Sequence, residues 1–419
     1  MDSESRALAI TFARFFLPQV LFYGAGAVFG AVLNTRGRFA PPMWAPVLNN
    51  VVVITTGLVF LLLRGAGELS AGSLSAGEVR LLGIGTTLGI VAQTVALLPS
   101  LRAAGFTPRL RFDLRGIGLR QIGGLATWVL LYVVANQLAF VVVVRLSTQQ
   151  DLVDAGRGYP SYVAAFVLWQ LPHAIVAVSV ITALLPRMSR AAAGGRTDDL
   201  RGSLNRGLRL TVSVLVPAAV GFVVLGRELA TLVFARGQVS VEDARFIGLL
   251  LGVFAVGLVP FSTYQLQLRA FYAMQDTRTP TLINLGVNAT LVVTDVTLYA
   301  LLPDAYKVVG LAAGHATSFV AGLLLCSLVL SRRIGGLDGA VVLRTAVRCL
   351  LAAAVPALLA ALLAAASTRV VGDGPLSAAV SLAVGGLVLG AGYLLLARRM
   401  RVPEVDEVAG PVLRRLRLG

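Results

Sequence analysis

Eleven apolar stretches, each near the length of a membrane span, decide what this chain can become. They lie at 12–33, 44–63, 81–101, 122–144, 161–185, 207–226, 246–268, 280–302, 307–330, 345–366 and 376–397. A helix rises about 1.5 Å per residue, so about 20 apolar residues match a hydrocarbon core about 30 Å thick. A soluble domain carries about 25% charged residues; this chain carries 13%, against 57% hydrophobic. Pro18, Pro172, Pro217, Pro260 and Pro356 fall within these stretches. Packed membrane helices tolerate such breaks, because neighbouring groups re-satisfy the freed backbone. No period-two alternation appears, which excludes a barrel. The expected fold class is therefore an all-α polytopic membrane protein with about 11 transmembrane helices.

The net charge of +16 would suit nucleic acid if it were clustered, but it is distributed loop by loop. Arg36 and Arg38 follow the first span. The next loop balances Arg64 and Arg80 against Glu68 and Glu78. The third holds Arg102, Arg109, Arg111, Arg115 and Arg120 against Asp113 alone. The fourth is balanced again, and the fifth is strongly basic from Arg187 to Arg209. Every second loop is positive to the end of the chain, as orientation by cytoplasmic Lys and Arg requires. The expected topology puts the N-terminus outside and the C-terminus in the cytoplasm. The arginines then serve orientation and contact with anionic lipid, and no nucleic-acid partner is expected. Met1 to Thr11 shows no secretory signal. Cys326 and Cys349 lie near cytoplasmic helix ends and read as reduced packing residues. No nucleophile–base pair, metal spacing or phosphate-cradling loop stands out. The expectation is a non-enzyme with no cofactor, no metal and no catalytic residue.

Two segments are alike. PQVLFYGAGAVFGAVLNTRGRFAPPMWAPVLNN (18–50) and PFSTYQLQLRAFYAMQDTRTPTLIN (260–284) both run from Pro through an apolar stretch to Thr-Arg and then Pro-x-x-x-Asn. LLGIGTTLG (81–89) and VVGLAAGHA (308–316) extend the match. Spans one to three and seven to nine then form equivalent triplets. The second triplet is preceded by three more spans, the first by none. Two-lobed transporters of parallel repeats would have six spans in each lobe. The expected organisation is an incomplete N-terminal lobe of three helices (1–101), a basic cytoplasmic linker (102–121) and a C-terminal six-helix lobe (122–330). Two extra helices (331–397) and a basic cytoplasmic tail (398–419) follow.

The stretches RFFLPQVLFYGAGAVFGAVLNTRGRFAPPMWAPVLNN, LPHAIVAVSVITALLPRMSR (171–190) and LRAFYAMQDTRTP (268–280) resemble the MurJ/MviN family of lipid II flippases. The resemblance implies helices four to fourteen of a fourteen-helix, two-lobed transporter in the bacterial plasma membrane. It implies that lipid II, or a similar polyprenyl-pyrophosphate-linked saccharide, passes from the inner to the outer leaflet by alternating access. Helices 331–397 resemble those that make a groove for the lipid tail. Membrane lipids and cell-wall synthesis proteins are the expected partners. Alternatives are export of another polyprenyl-linked saccharide or amphipathic drug, and a non-transporting scaffold for cell-wall synthesis. Where many members carry charges before the Leu-Pro of the fifth span, this chain has Phe166, Val167 and Gln170.

Few polar residues interrupt the spans. The substrate-binding candidates are Arg269, Gln170, His173, Arg145, Asn50 and Asn284. Arg269 and Arg145 either snorkel to an interface or meet phosphate. His173 either satisfies the backbone freed by Pro172 or lines a cavity. Asn50 and Asn284, related by the repeat, read either as interhelical packing groups or as ligands. The ion-coupling candidates are Asp295, Asn288, Thr317 and His315. Asp295 is the carboxylate deepest in a span, where such groups are functional by default; its place toward the outer half equally fits a carboxylate that faces interfacial water. His315 lies in a small-residue run suited to interhelical hydrogen bonding. The resemblance places Asn288 and Thr317 at polar positions of a cation site, with Val143 and Val292 where acids stand in other members.

Overall fold

The computed structural model describes residues 3–65, 74–107, 119–149, 157–237, 239–407 and 410. Among these there is no strand, and all eleven expected spans are helical. The chain divides into two compact units, Met1–Arg115 and Gly116–Gly419. Most of the expected 102–121 linker lies outside the described residues.

The first unit holds α1 (Ser3–Phe16), α2 (Gln19–Thr35), α3 (Ala40–Arg64), α4 (Ala76–Val95) and α5 (Leu98–Ala103). The first span breaks into α1 and α2 at Leu17–Pro18, because Pro18 has no N–H to continue the ladder. Glycines on α4 let its neighbours approach, as small residues do in membranes. A Cβ on Gly83 would lie 2.5 Å from the Phe15 ring, and one on Gly85 would strike Thr56. Thr87 and Thr94 donate across this contact to the carbonyls of Phe15 and Phe22, at 2.9 and 3.0 Å. Arg36 and Arg38 donate to the carbonyls of Ala104 and Ala103 at the end of α5. Both guanidiniums thus satisfy carbonyls that a helix end leaves free.

The second unit begins with α6 (Leu119–Ser147) and α7 (Tyr159–Pro172). A π-helical turn, His173–Ala177, joins α7 to α8 (Val178–Ala193), so Pro172 widens this span instead of ending it. Next comes α9 (Thr197–Phe234), which starts ten residues before the expected span. Its extension is amphipathic. Asp198 and Asp199 sit in the first turn, where carboxylates suit the helix dipole. Leu200, Leu204 and Leu208 pack in one core with Met188 and Phe271.

The seventh span is not a straight helix. It consists of α10 (Val241–Val256) and α11 (Leu258–Ala273), bent by 47°. Pro260 lacks the N–H that would bond the Val256 carbonyl. Gly257, at the bend, is pressed against the next layer, since a Cβ there would lie 2.9 Å from the Ala316 Cα. Then follow α12 (Arg278–Leu301) and α13 (Lys307–Arg333). Small residues Gly310, Gly314, Ser318 and Gly322 recur every four positions on α13, and the three glycines press on Leu298, Asp295 and Val287 of α12.

The repeat is offset in three dimensions. In the first copy Thr35 ends α2 and Arg36 caps it, ahead of the left-handed Gly37. In the second, Thr277 and Arg278 begin α12, after the left-handed Gln275. The turns themselves match. Arg38 N–H bonds Leu33 O and Asp276 N–H bonds Phe271 O, both at 2.9 Å, in the same helix-ending geometry. Pro280 therefore lies in the first turn of its helix, whereas Pro46 lies further inside α3.

The chain closes with α14 (Gly339–Val371) and α15 (Pro375–Arg399). Their contact is alanine-rich and close; a Cβ on Gly392 would lie 2.7 Å from Pro356 Cγ. The start of the expected basic tail is docked on the helices. Val402 and Val405 are buried with Val212, Val216 and Cys349. Glu404 accepts from Arg209 Nε at 2.7 Å, and Glu407 pairs with Arg206. Its acids, not its arginines, hold it to α9. Residues 408–409 and 411–419 lie outside the described residues. Both cysteines are free and fully buried.

Candidate functional site

Three polar groupings and an apolar cavity occupy the second unit, and they do not coincide with the two sets read from the sequence. The first is an amide seam between α6 and α12. Asn136 Nδ2 donates to Asn284 Oδ1 at 3.3 Å, and Asn288 Nδ2 donates to Asn284 Oδ1 at 2.9 Å and to Asn136 Oδ1 at 3.3 Å. Thr281 adds a bond to the Trp128 carbonyl at 3.1 Å. Asn284 and Asn288 are buried. Asn136 completes the seam and was missed, although an Asn-Gln pair inside the apolar run VVANQLAF is a visible signal.

The second grouping surrounds Arg269 on α11. Its Nε is buried and has no hydrogen-bond partner among the described residues. Its guanidinium lies over the Tyr272 ring, 5.7 Å from the centroid. Seven residues before Arg269 on the same helix, about 10 Å along the axis, Ser262 holds His173. His173 is not occupied with its own backbone: its Nδ1 pairs with Ser262 Oγ on α11 at 2.9 Å, and its ring rests on Phe261. Gln170, half-buried on α7, precedes the widened turn. Arg269 and His173 thus belong to one neighbourhood.

The third grouping is an aromatic box around His315. Tyr162, Phe166, Trp169, Phe254 and Phe319 present rings to it with centroids 5.0–6.4 Å away, each nearly perpendicular. Tyr162 Oη meets His315 Nδ1 at 3.2 Å, so the histidine makes an interhelical contact from α13 to α7. Beside it, Asp295 is fully buried against Gly314, and neither carboxylate oxygen has a protein partner among the described residues. The sequence left open both a functional group and one facing interfacial water; the four-residue small-residue spacing of α13 draws the two helices tightly over it.

Three candidates stand apart. Arg145 is exposed near the end of α6. Thr317 is exposed and bonds Ala313 O on its own helix, so it does not complete a site with Asn288. Asn50 is exposed on α3. With the turns aligned, Asn50 falls opposite Asn288 and not Asn284, and its neighbour Asn49 packs against Gly89. Among the described residues no three His, Cys, Asp or Glu side chains converge as a metal site would need.

The fourth feature is a cavity of about 590 Å³ where α9, α11, α13 and α14 meet. Leu208, Val259, Leu324, Leu328, Val342 and Leu343 make it apolar, and Arg332 stands at its edge. Gln267 and Ser327 cross it with a 2.9 Å hydrogen bond.

Eleven apolar spans in two helical units define a multi-pass membrane protein with a transporter fold. Among solved structures, one titled "Lipid II flippase MurJ, inward closed conformation" superposes with a TM-score of 0.69 at 17% identity, covering 95% of this chain and 76% of that one. A MATE structure in the bent conformation gives 0.55 at 14% identity, covering 83% and 72%. The model of the family described as "Lipid II flippase MurJ" matches residues 1–377, and the chain belongs to that family. A probable lipid II flippase MurJ of Rhizobium meliloti is 27% identical over 304 residues, 70% of this chain and 53% of the relative. The lipid II flippase MurJ of Burkholderia cenocepacia is 27% identical over 334 residues, 78% of this chain and 60% of the relative. The chain therefore spans little more than half the length of these curated relatives. The family is one of transporters, not of catalysts.

Proposed function

We propose that this protein acts in moving lipid II, or a closely similar polyprenyl-pyrophosphate-linked saccharide, from the inner to the outer leaflet by alternating access. One observation carries this reading: Arg269 is a half-buried cation within a membrane span that has no anionic partner among the described residues. A charge in that setting is costly unless something pairs with it. A pyrophosphate is such a partner, and a planar guanidinium holds it through two parallel hydrogen bonds. The Ser262-tethered His173 and the half-buried Gln170 supply polar contacts nearby. The apolar cavity beside α14 suits the polyprenyl tail, which keeps the two helices of 331–397 in the role of a tail groove. No bond is made or broken; the protein lowers the cost of carrying a hydrated head group through hydrocarbon. The same chemistry fits other polyprenyl-linked anionic saccharides, and membership of the family favours lipid II.

We also propose that the N-terminus faces outward and the C-terminus the cytoplasm in a bacterial plasma membrane. The alternation of basic loops supports this.

The test is lipid II accessibility at the outer face, normalised to membrane-inserted protein. Losing a charged hydrogen bond costs about 1.5–3 kcal/mol, so Arg269→Ala should weaken head-group binding roughly 10- to 100-fold with abundance near normal. Arg269→Lys should retain part of the activity, since the point charge remains and the fork is lost. A normal rate per molecule in Arg269→Ala overturns the assignment and leaves the arginine as a snorkelling anchor.

A further inference from the structure

A second cavity, of about 780 Å³, lies at the other end of the same lobe, between α9, α10 and α14. Its two ends differ in chemistry. Val223, Gly252, Val256, Ala361 and Ala365 line the apolar part, and Val223 and Val256 are exposed at its mouth. Arg227, Glu228, Arg245 and Asp373 stand at the opposite end. The apolar part runs from that charged end toward the middle of the span. From Arg245 to Val256 is 11 residues of α10, about 16 Å.

The floor is built from backbone. Gly226 and Gly248 bring α9 and α10 into direct contact, since a Cβ on Gly248 would lie 2.6 Å from the Gly226 carbonyl oxygen. One turn on, the helices relax, and a Cβ on Gly252 would find only ordinary 3.7 Å contacts with Val223. Two helices touch at one level and diverge toward another, with alanines on the facing helix. The opening this leaves has the form of a slot along the lipid-facing surface.

The four charges sum to zero but are not all satisfied. Arg245 grips Asp373 with both terminal nitrogens, at 3.2 and 2.5 Å. The guanidinium holds the Asp373 carboxyl below the usual carboxylate range. Arg227 and Glu228 remain. Arg227 is exposed and forms no ion pair among the described residues. Glu228 is half-buried, and its Oε2 is shielded with no hydrogen-bond partner among them. Arg227, with no ion pair among the described residues, and Glu228, with one unpartnered carboxylate oxygen, therefore both line the charged end of an apolar slot open to the membrane.

We propose that this slot binds a phospholipid with a zwitterionic, ethanolamine-type head group. Its phosphate pairs with Arg227, its ammonium group with Glu228, and one acyl chain lies along Val223, Val256 and Ala365. A singly anionic head group satisfies Arg227 but presents no donor of positive charge to Glu228. The site is separate from the Arg269 neighbourhood and from the tail cavity, and its test reads lipid binding alone, independently of transport.

The experiment uses the whole chain, purified in detergent and titrated with phosphatidylethanolamine or phosphatidylglycerol of identical acyl chains. Melting temperature and retained lipid, counted by native mass spectrometry, are the readouts. Wild type should bind one phosphatidylethanolamine saturably, with an apparent affinity roughly tenfold above that for phosphatidylglycerol. Glu228→Gln should erase that preference, and Arg227→Ala should weaken both lipids. Ala365→Phe, at an exposed position on the slot wall, should leave the lipid-free melting temperature unchanged and abolish retention. Equal binding of the two lipids by wild type overturns the proposal. So does a preference that survives Glu228→Gln, or retention that survives Ala365→Phe. If Glu228→Gln does not fold, the wild-type comparison and Ala365→Phe still decide.

Discussion

Asn284→Ala tests the amide seam directly, and its cost follows from the bond list. The substitution removes both interhelical bonds to Asn136, at 3.3 and 3.5 Å, and the 2.9 Å bond from Asn288 on its own helix. Interhelical side-chain bonds in membranes average about 0.6 kcal/mol each and reach about 1.7. A same-helix pair adds about 0.2–0.5 kcal/mol. Asn288 keeps an acceptor in Asn136 Oδ1, so no amide is left wholly stranded. The sum is about 1.5 kcal/mol, roughly tenfold in the unfolding equilibrium constant. The assay is unfolding of purified protein by titrated denaturing detergent, run as a double-mutant cycle with Asn136→Ala. Because the two residues share bonds, the double substitution should cost about 1 kcal/mol less than the sum of the singles. Asn50→Ala, at the sequence-equivalent but exposed position, should change stability by less than about 0.5 kcal/mol. Strict additivity of the cycle, or equal costs at Asn50 and Asn284, would refute the reasoning.

Three further outcomes are expected. Cysteines at Ala76 and Ala193, both exposed beside loops of opposite charge character, should be labelled from opposite sides of the membrane; labelling from one side removes the proposed topology. No native cysteine need be removed, because Cys326 and Cys349 are fully buried. Glu404→Ala should free the docked C-terminal segment, at a cost of about 1 kcal/mol, and hasten its removal by added protease; unchanged proteolysis means the Arg209 contact does not hold it. Asp276 is partly buried, which raises its pKa, but bonds from Thr279 and the ion pair with Arg333 outweigh this and hold it below the usual value. A depressed carboxylate contributes stability above its unfolded pKa of about 3.9, and that contribution disappears as pH falls through the folded value. The melting temperature of Asp276→Asn should therefore fall less steeply than wild type below about pH 4, and parallel acid profiles would contradict this.

The spans were legible because bilayer thickness imposes one length and cytoplasmic positive charge imposes one alternation. Those two constraints act on composition, which a single sequence displays in full. What stayed hidden depends on the neighbours of a residue. The 47° bend was signalled by Pro260, but its place at Gly257 follows from the approach of Ala316 on another helix. The docked segment after α15 read as basic because arginines outnumber acids there, yet Glu404 and Glu407 meet arginines on α9. Asn50 and Asn284 looked equivalent because the alignment matched Thr-Arg to Thr-Arg. The turns match instead at Gly37 and Gln275, which moves the two asparagines to different depths in their helices.

That offset bears on how the polar groups divide their work. A duplicated helix pair starts with one set of packing contacts, used twice. In this chain the second copy holds a mutually satisfied amide network in its interhelical seam, Asn136, Asn284 and Asn288, whereas in the first copy Asn49 Oδ1 is buried against Gly89 with no hydrogen-bond partner among the described residues. Such a network fixes the register of α6 against α12 and has little left for a ligand. Arg269 and Asp295 show the reverse condition: each lies within a membrane span, and each has buried polar atoms with no protein partner among the described residues. Evolution removes an isolated intramembrane charge readily, since almost any apolar residue is more stable there. On the proposed function, the groups that stabilise this lobe and the groups that act in it are different residues. The chain separates them by bond satisfaction, since both kinds occur on α12. Substituting a seam residue should change abundance, and substituting Arg269 should change transport per molecule. A seam variant with normal abundance and no transport would break that division.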